Sequence, residues 1–304
     1  MELFQHTIGD TITLRGEGII TGKDITVELI PSPPNHGLVF ERTDLSPSLF
    51  IRVAPENVFA TEGASLIRSG HDQILFIEHL LATLNGLAID NLLIRVNGPE
   101  IPLLDGSALP FVEAILEVGR RPQWSLRRHL RIVSEFTIKS DDSEIIFSPA
   151  PELRLHCIID FPHPVIGHQE IELTVTPESF LSEIAYARTF GFLQELIKRR
   201  EQGLLRGGSL ENAIILDEDR VLNPDGLRDP KEFVRHKLLD FMGDIYILGA
   251  PILGAIKVIK SSHKFHIKAI KTLLAHSNVW DWFPGPARLP VKPMKCLEPA
   301  CALA

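Results

Sequence analysis

A pattern that recurs after 157 residues constrains the fold more than any other feature of the chain. Phe76-Ile77-Glu78-His79, with Leu81 and Gly86 behind it, returns as Phe233-Val234-Arg235-His236, with Leu238 and Gly243. Both runs carry apolar residues at helical spacing, so each predicts a helix, the first stopping at Gly86. One offset shared by all these positions predicts two related units, each supplying the same helix. The flanking segments agree. Residues 10–60 read mostly as short strands, among them "DITVELIP" at 24–31. Helical spacing over 74–86, a strand in "DNLLIRVNG" and a helix in "PFVEAILEVGR" (110–120) follow. The basic, aromatic stretch "RRPQWSLRRHLRI" (120–132) reads as a linker. Strands resume in "RIVSEFTI", "SEIIFSP", "ELRLHCIID" and "QEIELTV", and helices come near 179–201, 230–248 and 265–276. Strands then helices, twice over, is the order of an α+β fold in two units. The expectation is a first unit over 1–124, a second over 125–283 and a Pro-rich, aperiodic tail over 284–304. Each unit should be a small, mostly antiparallel sheet with helices on one face.

Bulk properties narrow the function. The chain has 304 residues, enough for two real cores, and its 44% hydrophobic and 23% charged residues are ordinary for a globular protein. A formal net charge of −8 argues against a general nucleic-acid binder. No apolar run approaches the roughly 18 residues that span a bilayer. The start, "MELFQHTIGDTITLRGEG", lacks a basic segment followed by an apolar block, so no secretory signal is expected. Cys157, Cys296 and Cys301 do not make a disulfide framework, and a reducing cytoplasm is the default expectation.

The second recurring helix carries the chemistry. In "FVRHKLLDFMGD" (233–244), His236, Asp240 and Asp244 stand four apart, on or beside a face that heads for the core. Imidazole and carboxylate groups there are costly unless something pairs with them. A histidine and an aspartate at i and i+4 can place a nitrogen and an oxygen on one zinc ion, and a catalytic zinc takes three protein ligands. The plainer reading of the pair alone is a histidine hydrogen-bonded to its neighbour. There is no HExxH motif, and the inverted form would need histidine where Leu75 stands. The recurrence instead offers His79, the counterpart of His236, as third ligand, if the two helices face each other. Glu78 beside it can take a proton from an activated water; by itself, Glu78-His79 also reads as a solvated helix edge.

Seven segments, in order, resemble one family: "IEHLLATLNGLAIDN", "GPEIPLLDGSALPFV", "IDFPHPVIGHQ", "ARTFGF", "LRGGSLENAIILDEDRVLNPDGLR", "FVRHKLLDFMGD" and "SSHKFH". The chain resembles the UDP-3-O-acyl-N-acetylglucosamine deacetylases, zinc amidases of lipid A biosynthesis, over roughly residues 3–283. The resemblance implies a cytoplasmic, monomeric enzyme with the active site between the two units. It implies a zinc ion on His79, His236 and Asp240, and Glu78 as the carboxylate that activates water. It implies His263 as the cation that steadies the oxyanion and protonates the leaving amine. Asp244 orients that histidine, and Thr189 donates a hydroxyl to the oxyanion. Lys237 and Phe190 match residues that hold the substrate's polar head and sugar.

A long acyl chain on the substrate requires an apolar channel. The stretch 190–209 is the candidate lining, with Leu193 and Leu196 one turn apart and Gly208 allowing close approach. Four positions depart from the family pattern. Ile20 stands where histidine is common, Ser262 where glycine is usual, and His266-Ile267 where an asparagine pair is common. The end, "KCLEPACALA", is similar to the nonpolar terminus through which an ATP-dependent membrane protease controls the level of enterobacterial relatives. A turnover signal there is one reading, acting through a regulatory protease; a passive end with no role is the other.

Overall fold

The computed structural model describes residues 2–284. The turnover signal read at the C-terminus, with Cys296 and Cys301, lies outside them.

The first half runs through β1 (Phe4–Ile8), β2 (Ile12–Glu17), β3 (Asp24–Pro31), β4 (Leu38–Arg42) and β5 (Leu49–Arg52). A hairpin sheet of β6 (Val58–Ala60), β7 (Ser65–Ser69) and β8 (Asp72–Leu75) follows. Then come α1 (Glu78–Gly86), β9 (Leu92–Val96) and α2 (Leu109–Val118). The main sheet has the order β2-β3-β9-β4-β5, antiparallel throughout except for the parallel pair β4 and β9. The second half runs through β10 (Arg120–Leu126), β11 (His129–Ile132), β12 (Phe136–Ser140), β13 (Ser143–Ser148), β14 (Leu153–Phe161) and β15 (Gly167–Thr174). A short α3 (Pro177–Ser179) leads through a π turn (Phe180–Ile184) to β16 (Phe190–Phe192), α4 (Leu193–Glu201) and β17 (Ile214–Leu216). The chain closes with α5 (Glu232–Ile245), β18 (Ile252–Ile259), α6 (His263–Ala275) and β19 (Trp280–Phe283). Its sheet contains the run β12-β13-β18-β14-β15, again antiparallel except for one parallel pair, β14 and β18. Strand for strand, these two five-stranded runs share one topology, and the second sheet also holds β11, parallel to β18, and β19, paired with β11. The two runs differ in what is inserted before the long helix: the hairpin β6–β8 in one, the segment from α3 to β17 in the other.

The two halves meet helix to helix. All nine residues of α1 are buried, as are twelve of the fourteen in α5. Helices covered on every side belong to the middle of a core, not its surface. The recurring glycines explain how they pack. A Cβ at Gly243 would lie 2.0 Å from the backbone oxygen of Glu78, and one at Gly86 would lie 2.3 Å from the ring of Phe180. Across the same junction Asn85 Nδ2 donates to the Met242 carbonyl at 2.9 Å, and the Tyr246 hydroxyl donates to the Ile89 carbonyl at 2.7 Å. Each bond joins residues 157 apart. When a residue touches its own counterpart, the two elements cross near a two-fold axis. Here that axis relates two halves of one chain.

Gly243→Ala tests this packing. In an open helix the change favours folding by about 1 kcal/mol. At this crossing the methyl group meets only backbone, so overpacking should cost roughly 1–3 kcal/mol. We expect a melting point lowered by several degrees; an unchanged or raised one contradicts the close crossing.

The structure corrects three sequence expectations. Residues 74–75 end β8, and α1 begins only at Glu78. The span 179–201 is no continuous helix, because extended residues 190–192 pair with 214–216. The linker over 120–132 is two strands, β10 against β1 and β11 against β18 and β19. Its alternation was masked because the inward residue, Gln123, is polar. Gln123 is satisfied by the Ser32 carbonyl at 2.7 Å and by the Asn91 amide at 2.7 Å, while Trp124 points outward at 95% exposure. No helix among the described residues is long and apolar enough to cross a membrane.

Candidate active site

The crossing of α1 and α5 brings His79, from the first half, beside His236 and Asp240, from the second. Their candidate ligand atoms all lie within 4.8 Å of one another, and all three residues are buried. The two imidazole rings meet edge to face with centroids 5.0 Å apart. Asp240 Oδ1 lies 3.3 Å from His236 Nε2 and 3.7 Å from His79 Nε2.

The proton inventory shows what this arrangement fits. His236 Nδ1 faces the Ala187 carbonyl at 3.1 Å, so it carries its hydrogen there. A neutral His236 then turns an Nε2 lone pair toward a carboxylate oxygen, two acceptors facing each other. Protonation is the unfavourable remedy, because burial lowers the His236 pKa and pushes His79 down to about 3. His79 Nδ1 is itself buried without a hydrogen-bond partner. A divalent cation among the three groups resolves the conflict, and two imidazole nitrogens with one carboxylate are a donor set that zinc accepts. For Asp240, burial opposes ionisation, but the charges of Lys237 and His263 outweigh it and hold the carboxyl far below its usual range. Lys237 Nζ donates to Asp240 Oδ2 at 2.8 Å, which places that lysine at the edge of the cluster.

Around this centre stand a raised carboxyl and a raised imidazole. Burial, helped by the charges of Asp240 and Asp244, pushes Glu78 up to about 8. Burial would lower His263, but Asp244 and Asp240 reverse the effect and raise it to about 9. His263 Nδ1 donates to Asp244 Oδ2 at 2.7 Å, and its Nε2 lies 3.7 Å from Asp240 Oδ2. Titratable groups pushed in these directions inside one buried site are candidates for proton transfer.

Local structure fixes each group. The backbone enters α1 through Phe76 at φ 58°, a left-handed conformation that costs a bulky residue of the order of 1 kcal/mol or more. Glu232, fully buried at the start of α5, accepts from Arg188 N at 3.1 Å, Arg188 Nε at 2.8 Å and Arg228 N at 2.7 Å. An acid is favourable at a helix N-terminus. This one also ties the segment 187–190 to the helix that carries His236 and Asp240. Thr189, in that segment, is pinned by bonds to Gly106 and Ile214, both 2.7 Å, two residues beyond the carbonyl that holds His236. Phe190 lies edge-on to Phe233 at 5.0 Å and to His236 at 6.2 Å.

The channel residues are less tightly gathered. Leu193 and Leu196 lie on α4, which has no buried residue. A Cβ at Gly208 would lie 3.3 Å from the Leu205 carbonyl oxygen, with no other residue within 4 Å. Leu205 in turn joins Ile20 on a small apolar cluster of Ile19, Ala64, Phe76 and Leu103.

The departures acquire roles. Ser262 caps α6, its hydroxyl accepting from Phe265 N, and so sets His263 as the first residue of the helix. His266, fully buried, donates from Nδ1 to Asp244 Oδ2 at 2.7 Å, while its Nε2 sits 2.6 Å from the Ser261 hydroxyl. Asp244, His263 and His266 could also be drawn as a metal cluster. The Nδ1 atoms of both histidines already donate to Asp244, so the three residues form a positioning network. Sequence reasoning missed Ser65, Glu232 and the Ala187 carbonyl altogether. A serine in a hairpin or a glutamate at a helix start carries no distinguishing spacing.

A family profile described as UDP-3-O-acyl N-acetylglycosamine deacetylase matches residues 5–275. A Myxococcus xanthus protein named UDP-3-O-acyl-N-acetylglucosamine deacetylase is 40% identical over 284 residues, 93% of this chain and 90% of its own length. A protein of the same name from Xylella fastidiosa (strain Temecula1) is 38% identical over 301 residues, 98% of this chain and 99% of its own. One from Haemophilus influenzae (strain PittEE) is 40% identical over 281 residues, covering 91% and 92%.

Proposed function

The chain belongs to the UDP-3-O-acyl-N-acetylglucosamine deacetylase family, and from that premise we propose which of its residues perform the hydrolysis. It is a hydrolase that removes the acetyl group from the acetamide of UDP-3-O-acyl-N-acetylglucosamine, in lipid A biosynthesis. The observation that carries the assignment is one buried point at which two histidines, an aspartate, a raised carboxyl and a raised imidazole converge from both halves of the chain.

His79, His236 and Asp240 hold the metal, taken as zinc. When bound, it supplies a Lewis acid that polarises the acetamide carbonyl and acidifies water. Glu78 takes the proton from the attacking water as the new C–O bond forms. The His263 imidazolium and the Thr189 hydroxyl face the oxyanion that develops on the substrate. His263 then gives its proton to the amine nitrogen as the C–N bond breaks, releasing acetate and the free amine. Asp244 keeps His263 charged and aimed. Lys237 and Phe190, at the rim, hold the polar head and the sugar. We also carry forward the division at 124/125, a monomeric state and the reducing cytoplasm, which three cysteines without a framework favour. Acetate release from the UDP-sugar by the purified protein tests the activity; a protein that binds the nucleotide sugar and releases none contradicts it.

The acyl chain runs along 190–209. Leu193→Trp or Gly208→Trp should shift preference toward shorter acyl chains, read as kcat/KM for a long-chain against a short-chain substrate. An unchanged ratio in both variants places the channel elsewhere.

A further inference from the structure

We infer that Ser65 is a positioning residue that locks the proton acceptor and the proton donor of this site into one unit, an inference that rests on the roles given to Glu78 and His263. Ser65 opens β7 in the hairpin inserted into the first half, and it is 1% exposed. Its backbone N donates to Glu78 Oε2 at 3.1 Å, and its carbonyl accepts from Ile77 N at 3.5 Å. Its hydroxyl donates to Asp244 Oδ1 at 2.5 Å. The other oxygen of Asp244 accepts from both His263 Nδ1 and His266 Nδ1, each at 2.7 Å.

The bonding leaves little freedom. Ionised Asp244 only accepts, and Ser65 has one hydroxyl hydrogen. The Ser65 oxygen is 3.4 Å from His263 Nδ1, so the hydrogen goes to the nearer carboxylate. Three donors thus fix the plane of the Asp244 carboxylate, and that plane fixes the ring of His263. The same residue's N–H fixes one oxygen of Glu78 and leaves Oε1 for proton transfer. Glu78 comes from the first half, while Asp244 and His263 come from the second. Ser65 is therefore the hinge point through which the inserted hairpin sets the distance between base and acid. Buried hydrogen bonds to charged groups are worth enough to hold such a geometry.

Ser65→Ala removes the hydroxyl and leaves both backbone hydrogen bonds, to Glu78 and from Ile77, in place. We expect kcat to fall roughly 10–100-fold, the scale of one hydrogen bond to a charged group. KM should stay within about twofold and metal content should be unchanged. Ser65→Cys, which keeps a weak donor, should fall between alanine and wild type. In a double-mutant cycle with Asp244→Asn, the two losses should be far less than additive, because Ser65 acts through Asp244. A wild-type kcat for Ser65→Ala, or full additivity with Asp244→Asn, overturns the inference. Glu78→Gln serves as the control. If it too turns over normally, the acid/base assignment has failed; if it is inactive while Ser65→Ala is normal, only the role of Ser65 has failed.

Discussion

Glu78→Gln should release acetate roughly 10²–10⁴ times more slowly than the parent protein, the usual size of a lost general base or acid. The amide keeps the shape of the side chain and can still accept from Ser65 N, so fold and metal content should survive. His263→Ala should lose a similar factor, and the pH profiles should separate the two residues. Glu78 works deprotonated. Burial lifts its carboxyl to about 8 in the metal-free protein, and a neighbouring dication can only lower that value. The acid limb of the wild-type profile should therefore fall below pH 8. His263 works protonated, and Asp244 and Asp240 overcome burial to raise it to about 9. The same dication disfavours the imidazolium, so activity should decline as pH rises towards 9, and that alkaline limb should vanish in His263→Ala. Normal turnover in Glu78→Gln, or an unaltered alkaline limb in His263→Ala, removes the corresponding role.

The gathering of His79, His236 and Asp240 at one buried point was legible in the sequence, for a physical reason. His236 and Asp240 share a helix, so a four-residue spacing alone aligns them. His79 was reachable because the two halves are copies, and a copy places equivalent residues at a two-fold crossing. The same recurrence pointed at Gly86 and Gly243, whose missing Cβ atoms let α1 and α5 touch their partners. What escaped was set by contacts between distant segments. Ser65 reaches Asp244 across 179 positions, and nothing in a hairpin sequence marks one serine as the buried one. Glu232 reads as a common helix-start acid, yet through Arg188 it anchors the segment that carries Thr189 and Phe190. The strands over 120–132 were hidden because their inward position is a hydrogen-bonded glutamine and their outward one a tryptophan. His266 was legible only as a departure. Its bond to Asp244 depends on α6 starting at His263, which in turn follows from the Ser262 cap.

Removing the metal should have the second large effect. Dialysis against a strong chelator should abolish acetate release, and one equivalent of zinc should restore it. The inactive protein should keep its fold, because α1 and α5 are held by buried apolar contacts and by the Asn85 and Tyr246 bonds independently of any ion. His236→Ala should lose metal under conditions where the parent retains it. Two donors remain, and the acceptor conflict that favours a cation is relieved. Activity that survives chelation contradicts a metal-dependent reaction, and full zinc occupancy in His236→Ala contradicts the ligand assignment.

The central claim is that one metal ion joins the two halves of the chain, held by His79 from the first and by His236 and Asp240 from the second. An anomalous difference map from a crystal of the zinc-loaded protein, with data above and below the zinc edge, tests it most directly. We expect one strong peak within about 2.0–2.2 Å of one nitrogen of each imidazole and one oxygen of Asp240. A peak on Asp244, His263 and His266, or none between α1 and α5, would contradict it.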